Sequence, residues 1–201
     1  MFFYLARNPD KYQRLVDEIR GQFASREAIC LGSKLSSCRF LQACISESLR
    51  LAPPVAAVPF REVKKGGIVV DNHFVPEGTN VGVGIFSIQH SEQYFHDAYE
   101  FLPERWLGER KESEAFDTDA HVPFGIGPRI CLGKALVTAE LSLIMAHMIS
   151  TMDFAVVESM RDVGAGKKGA VYGRHRPGEY QLYDHITSAR DGPMVQFRNR
   201  V

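Results

Sequence analysis

Helical apolar spacing in three long stretches, with short β-rich runs between and after them, predicts an α-rich mixed α/β chain. The first stretch begins where Asn8 is a good N-cap and Pro9 a good first helical residue. Tyr12, Leu15, Val16, Ile19 and Phe23 then recur at three- and four-residue steps. After a connector of Gly, Ser and Cys over residues 25–37, Phe40, Leu41, Cys44, Ile45, Ser48 and Leu49 form a second stripe, which Pro53 and Pro54 stop. Four β-rich runs follow, Val55–Phe60, Ile68–Val70, His73–Val75 and Asn80–Ile85. Gly66-Gly67, Asp71-Asn72 and Pro76-Glu77-Gly78 punctuate them, predicting a small sheet of three or four strands. Residues 87–106 mix a short helix with turns, and residues 107–122 read as an irregular, polar meander. Beyond Cys131 a long helix is expected, with Val137, Leu141, Ile144 and Met148 along one face. Strand-like runs at Phe154–Val157, Gln181–Thr187 and Met194–Arg198 complete the chain.

With 201 residues and 45% hydrophobic content, residues 1–201 suffice for one sizeable domain. Formal charge is zero, so no net field points to nucleic acid or to an anionic membrane. The opening run Met1–Arg7 is too short in apolar residues for a signal segment or membrane anchor. The apolar stretch 135–149 is broken by Glu140 and His147, which suits a packed helix better than a bilayer helix. Four cysteines, Cys30, Cys38, Cys44 and Cys131, lack the spacing of a disulfide framework, and a reducing compartment is expected.

Most of the chemical signal lies in the run Phe124-Gly125-Ile126-Gly127-Pro128-Arg129-Ile130-Cys131-Leu132-Gly133. Glycines let a loop turn tightly and bring backbone N–H groups close to one sulfur. A cation two residues before the thiol, and the start of a helix just after it, both favour negative charge on that sulfur. Such a thiolate is suited to metal ligation. A buried inert thiol is the plainer alternative. Zinc would need three or four closely spaced N/S ligands, but there is no Cys-x-x-Cys and His121 is ten residues away. A nucleophilic cysteine paired with a remote histidine would not require the phenylalanine, the arginine and the two glycines.

The run resembles the haem-ligating signature of the cytochromes P450, Phe-x-x-Gly-x-Arg-x-Cys-x-Gly, with every defining position filled. Five fixed positions arise by chance about once in ten thousand chains of this size. The resemblance implies haem b as cofactor, with Cys131 as the iron's proximal thiolate. It further implies Phe124 and Gly125 against the proximal haem face, Arg129 on a propionate, and the backbone of Ile130, Leu132 and Gly133 around the sulfur. Glu47 and Arg50, three apart on the second helix, share a face and are able to pair. Pro103-Glu104-Arg105-Trp106 resembles the family motif whose arginine completes a buried Glu–Arg–Arg network, here Glu47, Arg50 and Arg105, which assists haem retention. Arg61 matches a second propionate cation, or else is an ordinary exposed arginine. Val55, Ala56, Ala57 and Val58, with Ile186 and Thr187, match the substrate side of the haem, or else are sheet-core residues. The histidines share no ligand spacing, and Cys30, Cys38 and Cys44 read as small apolar residues.

Order and spacing throughout match the C-terminal portion of the P450 fold, helices plus small β-sheets. The family's N-terminal half, its membrane anchor and its distal helix with an acid-threonine motif find no match in these residues. One face of the Val137–Met148 helix is therefore expected to lack its partner. A partial P450 domain is the resulting expectation, contributing to a haem-thiolate monooxygenase. Such an enzyme takes O2 and two electrons from an NADPH-dependent reductase, oxidises an apolar small molecule, and, for a full-length relative, sits at the cytosolic face of the endoplasmic reticulum. The other reading is a non-catalytic remnant that binds haem weakly or not at all.

Overall fold

The computed structural model describes residues 1–185 and 187–200. Short α1 (Phe2–Leu5) leads into α2 (Pro9–Gln22), followed by short α3 (Ser33–Ser36) and α4 (Arg39–Leu51). Two minimal antiparallel pairs come next. β1 (Arg61–Glu62) pairs with β4 (Asn80–Val81), while β2 (Ile68–Val70) and β3 (His73–Val75) form a hairpin between them. Short α5 (Ile85–Gln89) opens the meander, and α6 (Lys134–Thr151) follows the cysteine loop. It runs directly into β5 (Met152–Val156), which pairs with β6 (Val195–Asn199) so that Phe154 lies opposite Phe197.

The core sits where α2, α4 and α6 meet beneath α1. Leu15, Ile19, Leu41, Cys44, Leu51, Ala146 and Ile149 are buried there with Phe3 and Leu5. Pro9 starts α2 as expected, but the Asn8 side chain does not cap it. Asn8 Nδ2 donates backwards to the Tyr4 carbonyl (2.8 Å), serving the end of α1 instead. The first free amides of α4 are met from another helix, since Phe40 N and Leu41 N both donate to the Glu18 carboxylate of α2 (2.8 Å each). A carboxylate at a helix N-terminus suits both the orphan donors and the macrodipole.

Several sequence expectations need correction. Residues 55–60 form no strand, because no neighbouring segment offers them a ladder; pairing begins only at Arg61. Asn80–Ile85 divides into a two-residue strand and the start of α5, so two separate pairs replace the expected sheet. Among the described residues the run Gln181–Thr187 makes only the isolated bridge Tyr183–Ala189, with the bridge Tyr180–Ala165 just before it, and Ile186 lies outside the described residues. On α6 the buried face is Ser142, Met145, Ala146 and Ile149 rather than the Val137–Met148 stripe, where Ile144 is 52% exposed. This helix is apolar on nearly every side, so spacing alone fails to select the face that packs. No helix among the described residues is long and apolar enough to cross a membrane.

Candidate functional site: the cysteine loop and the buried carboxylate behind it

Two linked structures are built from α4 and the segment between it and α6. The first is the loop over residues 124–131. Gly125 and Gly127 take φ of +70° and +72°, the left-handed region that an L side chain disfavours. Nothing stands within 4 Å of a Cβ built on either, so conformation and not crowding calls for glycine there. The turn Gly127–Arg129 is a single 3-10 turn. Cys131 N donates to the Phe124 carbonyl (2.9 Å) and closes the loop.

The Cys131 sulfur is consequently presented outward, one residue before Leu132 and two before Gly133, which caps α6. A Cβ added at Gly133 would rest 3.6 Å from the sulfur, so glycine leaves that flank open. Among the described residues, no acceptor takes the amides of Leu132 and Gly133. Around the thiol, Ile126 (73%), Ile130 (40%) and Leu132 (fully) are exposed to solvent. Arg129 is exposed too, with no ion-pair partner among the described residues. Burial pushes the Cys38 thiol up to about 11 and the Cys44 thiol higher still, which suits both as inert packing groups.

The loop stands as a ridge between two grooves. Cys131 opens into one of about 770 Å³ with Leu31, Leu35, Leu132, Ala135 and Ala139. Phe124 opens into another of about 550 Å³ with Ile45, Leu49, His121 and Ile126. Ile130 and Lys134 border both. Arg61 lies on exposed β1, its guanidinium turned onto the carbonyls of Phe60 (2.8 Å) and Pro59 (3.4 Å). Ala56 faces a smaller cavity of about 190 Å³ with Phe86 and Tyr99. Val58 packs on Gly82, where an added Cβ would come within 2.4 Å of its Cγ1. Val55 and Ala57 are half-buried beside them, and Thr187 is exposed. Its neighbour Ser188 ties the late loop to this segment, accepting from Ala56 N (3.2 Å) and donating its own amide to the Pro54 carbonyl (2.7 Å).

The second structure is a carboxylate surrounded by donors. Glu47 and Arg50 on α4 are fully buried and Arg105 is 5% exposed. Arg50 binds Glu47 in a fork, Nε to Oε2 (2.9 Å) and Nη2 to Oε1 (2.8 Å), and Arg105 Nε reaches Oε1 (3.1 Å). Two further donors carried no sequence signal, Trp106 Nε1 to Oε2 (2.9 Å) and Leu102 N to Oε1 (3.1 Å). Burial alone would raise the Glu47 carboxyl, yet the hydrogen bonds and charge of Arg50, with Arg105, hold it below its ordinary value. Arg50 Nη1 donates in addition to the carbonyls of Gln89 and Ala98 (2.7 Å each), stitching the meander onto α4.

Two histidines border this network. His90 Nδ1 must be the protonated nitrogen, since it meets the Phe86 carbonyl (2.8 Å), which leaves Nε2 without a partner. Burial lowers His90 to about 4, helped by the nearby Arg50 charge. His121, tilted against Trp106 with ring centroids 4.6 Å apart, is likewise lowered to about 4, chiefly by burial.

Comparison with known proteins gives this arrangement a lineage. The cytochrome P450 family model matches residues 1–173. The cytochrome P450 monooxygenase AKT7 of Alternaria alternata is 41% identical over 98% of this chain and 39% of its own length. A cytochrome P450 monooxygenase of Gibberella zeae is also 41% identical, over 98% of the chain and 45% of its own length. The cytochrome P450 monooxygenase poxM of Penicillium oxalicum is 40% identical over 99% and 36%. The chain spans less than half the length of each of these relatives. With its outward thiol, its mixed helices and small sheets, and these matches, the chain belongs to the cytochrome P450 family.

Proposed function

We propose that this chain supplies the thiolate side of a haem monooxygenase, with Cys131 as the iron ligand. The observation that carries this reading is the loop itself: one exposed sulfur, two uncommitted amides beside it, an apolar collar and a free cation. Such a surround fits haem b. Ile126, Ile130 and Leu132 would lie against a flat apolar macrocycle, and Arg129 would find an anionic partner in a propionate. The groove at the sulfur falls within the roughly 300–1,000 Å³ of ordinary small-molecule and cofactor sites. A porphyrin iron brings four nitrogen ligands of its own and needs only one such sulfur from the loop.

When bound, the haem would supply reductive activation of O2: two electrons and two protons put one oxygen atom into the substrate and the other into water. The residues of this chain have simpler tasks. The uncommitted Leu132 and Gly133 amides would donate to the ligating sulfur and stabilise its negative charge, Phe124 and Gly125 would shape the proximal side, and Arg129 would orient the macrocycle. The buried Glu47–Arg50–Arg105 cluster keeps the meander, and through it the loop, fixed to α4. Arg61 serves a propionate only if its guanidinium turns away from Pro59 and Phe60. Residues 55–58 and Thr187 form the approach for an apolar substrate. An NADPH-dependent reductase supplies the electrons, and the whole enzyme works at the cytosolic face of the endoplasmic reticulum.

The test is to load the chain with haem, reduce it under carbon monoxide, and record the band characteristic of thiolate ligation. Cys131→Ser should abolish that band, and its persistence would overturn the ligand assignment. The exposed apolar flank, with Leu132, Leu136 and Ile144 open to solvent, favours a second reading in which the chain binds haem weakly and oxidises nothing. NADPH consumption coupled to substrate oxidation, with reductase present, separates the two.

A further inference from the structure

We propose that Gln89 is a positioning residue that fixes the base of the cysteine loop by coupling the last turn of α4 to the main chain at Val122. Its bearing on the reaction rests on the reading of Cys131 as haem ligand. Gln89 ends α5 and is fully buried, far from solvent and carrying no charge. Its side-chain amide meets three backbone groups. Nε2 donates to the carbonyls of Arg50 (2.9 Å) and Leu49 (3.3 Å), while Oε1 accepts from Val122 N (2.9 Å).

The partners dictate the orientation of the amide. Turned over, it would set its oxygen against two carbonyls and its NH2 against an N–H, so only one state satisfies the site. Leu49 and Arg50 belong to the final turn of α4, whose carbonyls have no partner within the helix. Gln89 thus caps α4 with one end and grips the loop's approach with the other. The clasp is reciprocal, because Arg50 Nη1 donates to the backbone carbonyl of Gln89 (2.7 Å), and Arg50 is itself held by Glu47.

From Val122 the linkage passes along the main chain. The Val122 carbonyl accepts from Gly125 N (2.9 Å), and the Phe124 carbonyl accepts from Cys131 N (2.9 Å). A leucine at position 89 would fill the space and make none of the three side-chain bonds to Leu49, Arg50 and Val122. An asparagine offers the same amide one methylene short, and does not span both α4 and Val122.

The experiment compares the full chain with Gln89→Leu, the milder Gln89→Asn, and Leu15→Ala, a destabilised control in α2 remote from the loop. Amide hydrogen exchange on haem-free protein is the first readout. Gln89→Leu should speed exchange at Val122, Gly125 and Cys131 about tenfold more than in α2, the size of one lost buried hydrogen bond. The control should move all amides together. Gln89→Asn should show a smaller acceleration at the same three amides, and serves if the leucine variant fails to fold. The second readout is the thiolate share of the carbon-monoxide spectrum relative to total haem, expected to fall in the Gln89 variants and to hold in the control. Loop exchange in the Gln89 variants no faster than in Leu15→Ala overturns the proposal. Absence of the thiolate band from unaltered protein strikes the ligand reading instead, and leaves the exchange result to decide the role of Gln89.

Discussion

The Glu47 cluster and the Cys131 loop carry the family's two recognisable motifs and solve opposite problems. Around Glu47 every carboxylate oxygen is met, by five donors from four residues, and solvent is excluded. Around Cys131 the sulfur, two amides, an arginine and three large apolar side chains all face outward. One region is satisfied internally, and buried charge is tolerable only on that condition. The other sets its path through glycine turns and main-chain bonds while leaving its side chains uncommitted. Internal satisfaction and outward exposure thereby fall to separate sets of residues, joined through the main chain and the Gln89 side chain.

Substitutions should separate the two regions. The largest effect on ligand chemistry is expected from Cys131→Ser, with complete loss of the thiolate band and an unchanged denaturation midpoint, because the sulfur supports no packing. A large fall in the midpoint would show that the loop is structural after all. Glu47→Ala should do the reverse, costing about 3–5 kcal/mol in urea unfolding as two guanidiniums lose their shared counter-charge. Haem content should drop with it. A loss under about 1 kcal/mol would mean that water relieves the site.

Acid should act on the buried region first. His90 and His121 are held at about 4 in the folded chain, against an ordinary 6.5. Between those values the unfolded chain binds more protons. Their stabilising contribution is thus full above about 6.5 and is lost as pH falls toward about 4, by up to roughly 1.4 kcal/mol per pH unit for each. Urea midpoints at a series of pH values should show this slope, and His90→Phe should flatten it. Glu47, held low, adds its own loss at still lower pH. Trp106→Phe should cost about 1–2 kcal/mol, one donor of five. Smallest of all, Asp153→Asn breaks the partly exposed pair with Arg20 (2.6 Å) and should cost about 0.5–1 kcal/mol.

The sequence made the helices legible where apolar spacing was one-sided. α2 and α4 show a clear stripe and a proline at one end, and both form close to the expected bounds. α6 was legible as a helix but not in its orientation, since Leu136, Ile144 and Ile149 are alike to any periodicity and only Ile149 is buried. The β-rich texture of residues 55–60 reported composition, whereas a strand also needs a partner, which lies in no local pattern. Within the candidate site, helical spacing allowed Glu47 and Arg50 to pair, and only the resemblance of Pro103-Glu104-Arg105-Trp106 to a family motif pointed to a buried network. The amide of Leu102 and the side chains of Trp106 and Gln89 come from turns whose approach only tertiary packing determines.

Arg50 lies over the Phe95 ring and makes its hydrogen bonds to the meander through carbonyl oxygens, at Gln89, Ala98 and Glu100. Every amino acid brings a carbonyl, so these three bonds by themselves follow the path of the main chain and select no side chain. Drift in evolution is accordingly confined to the meander's outer side chains, because Gln89, Arg105 and Trp106 bond the interior through their own side chains.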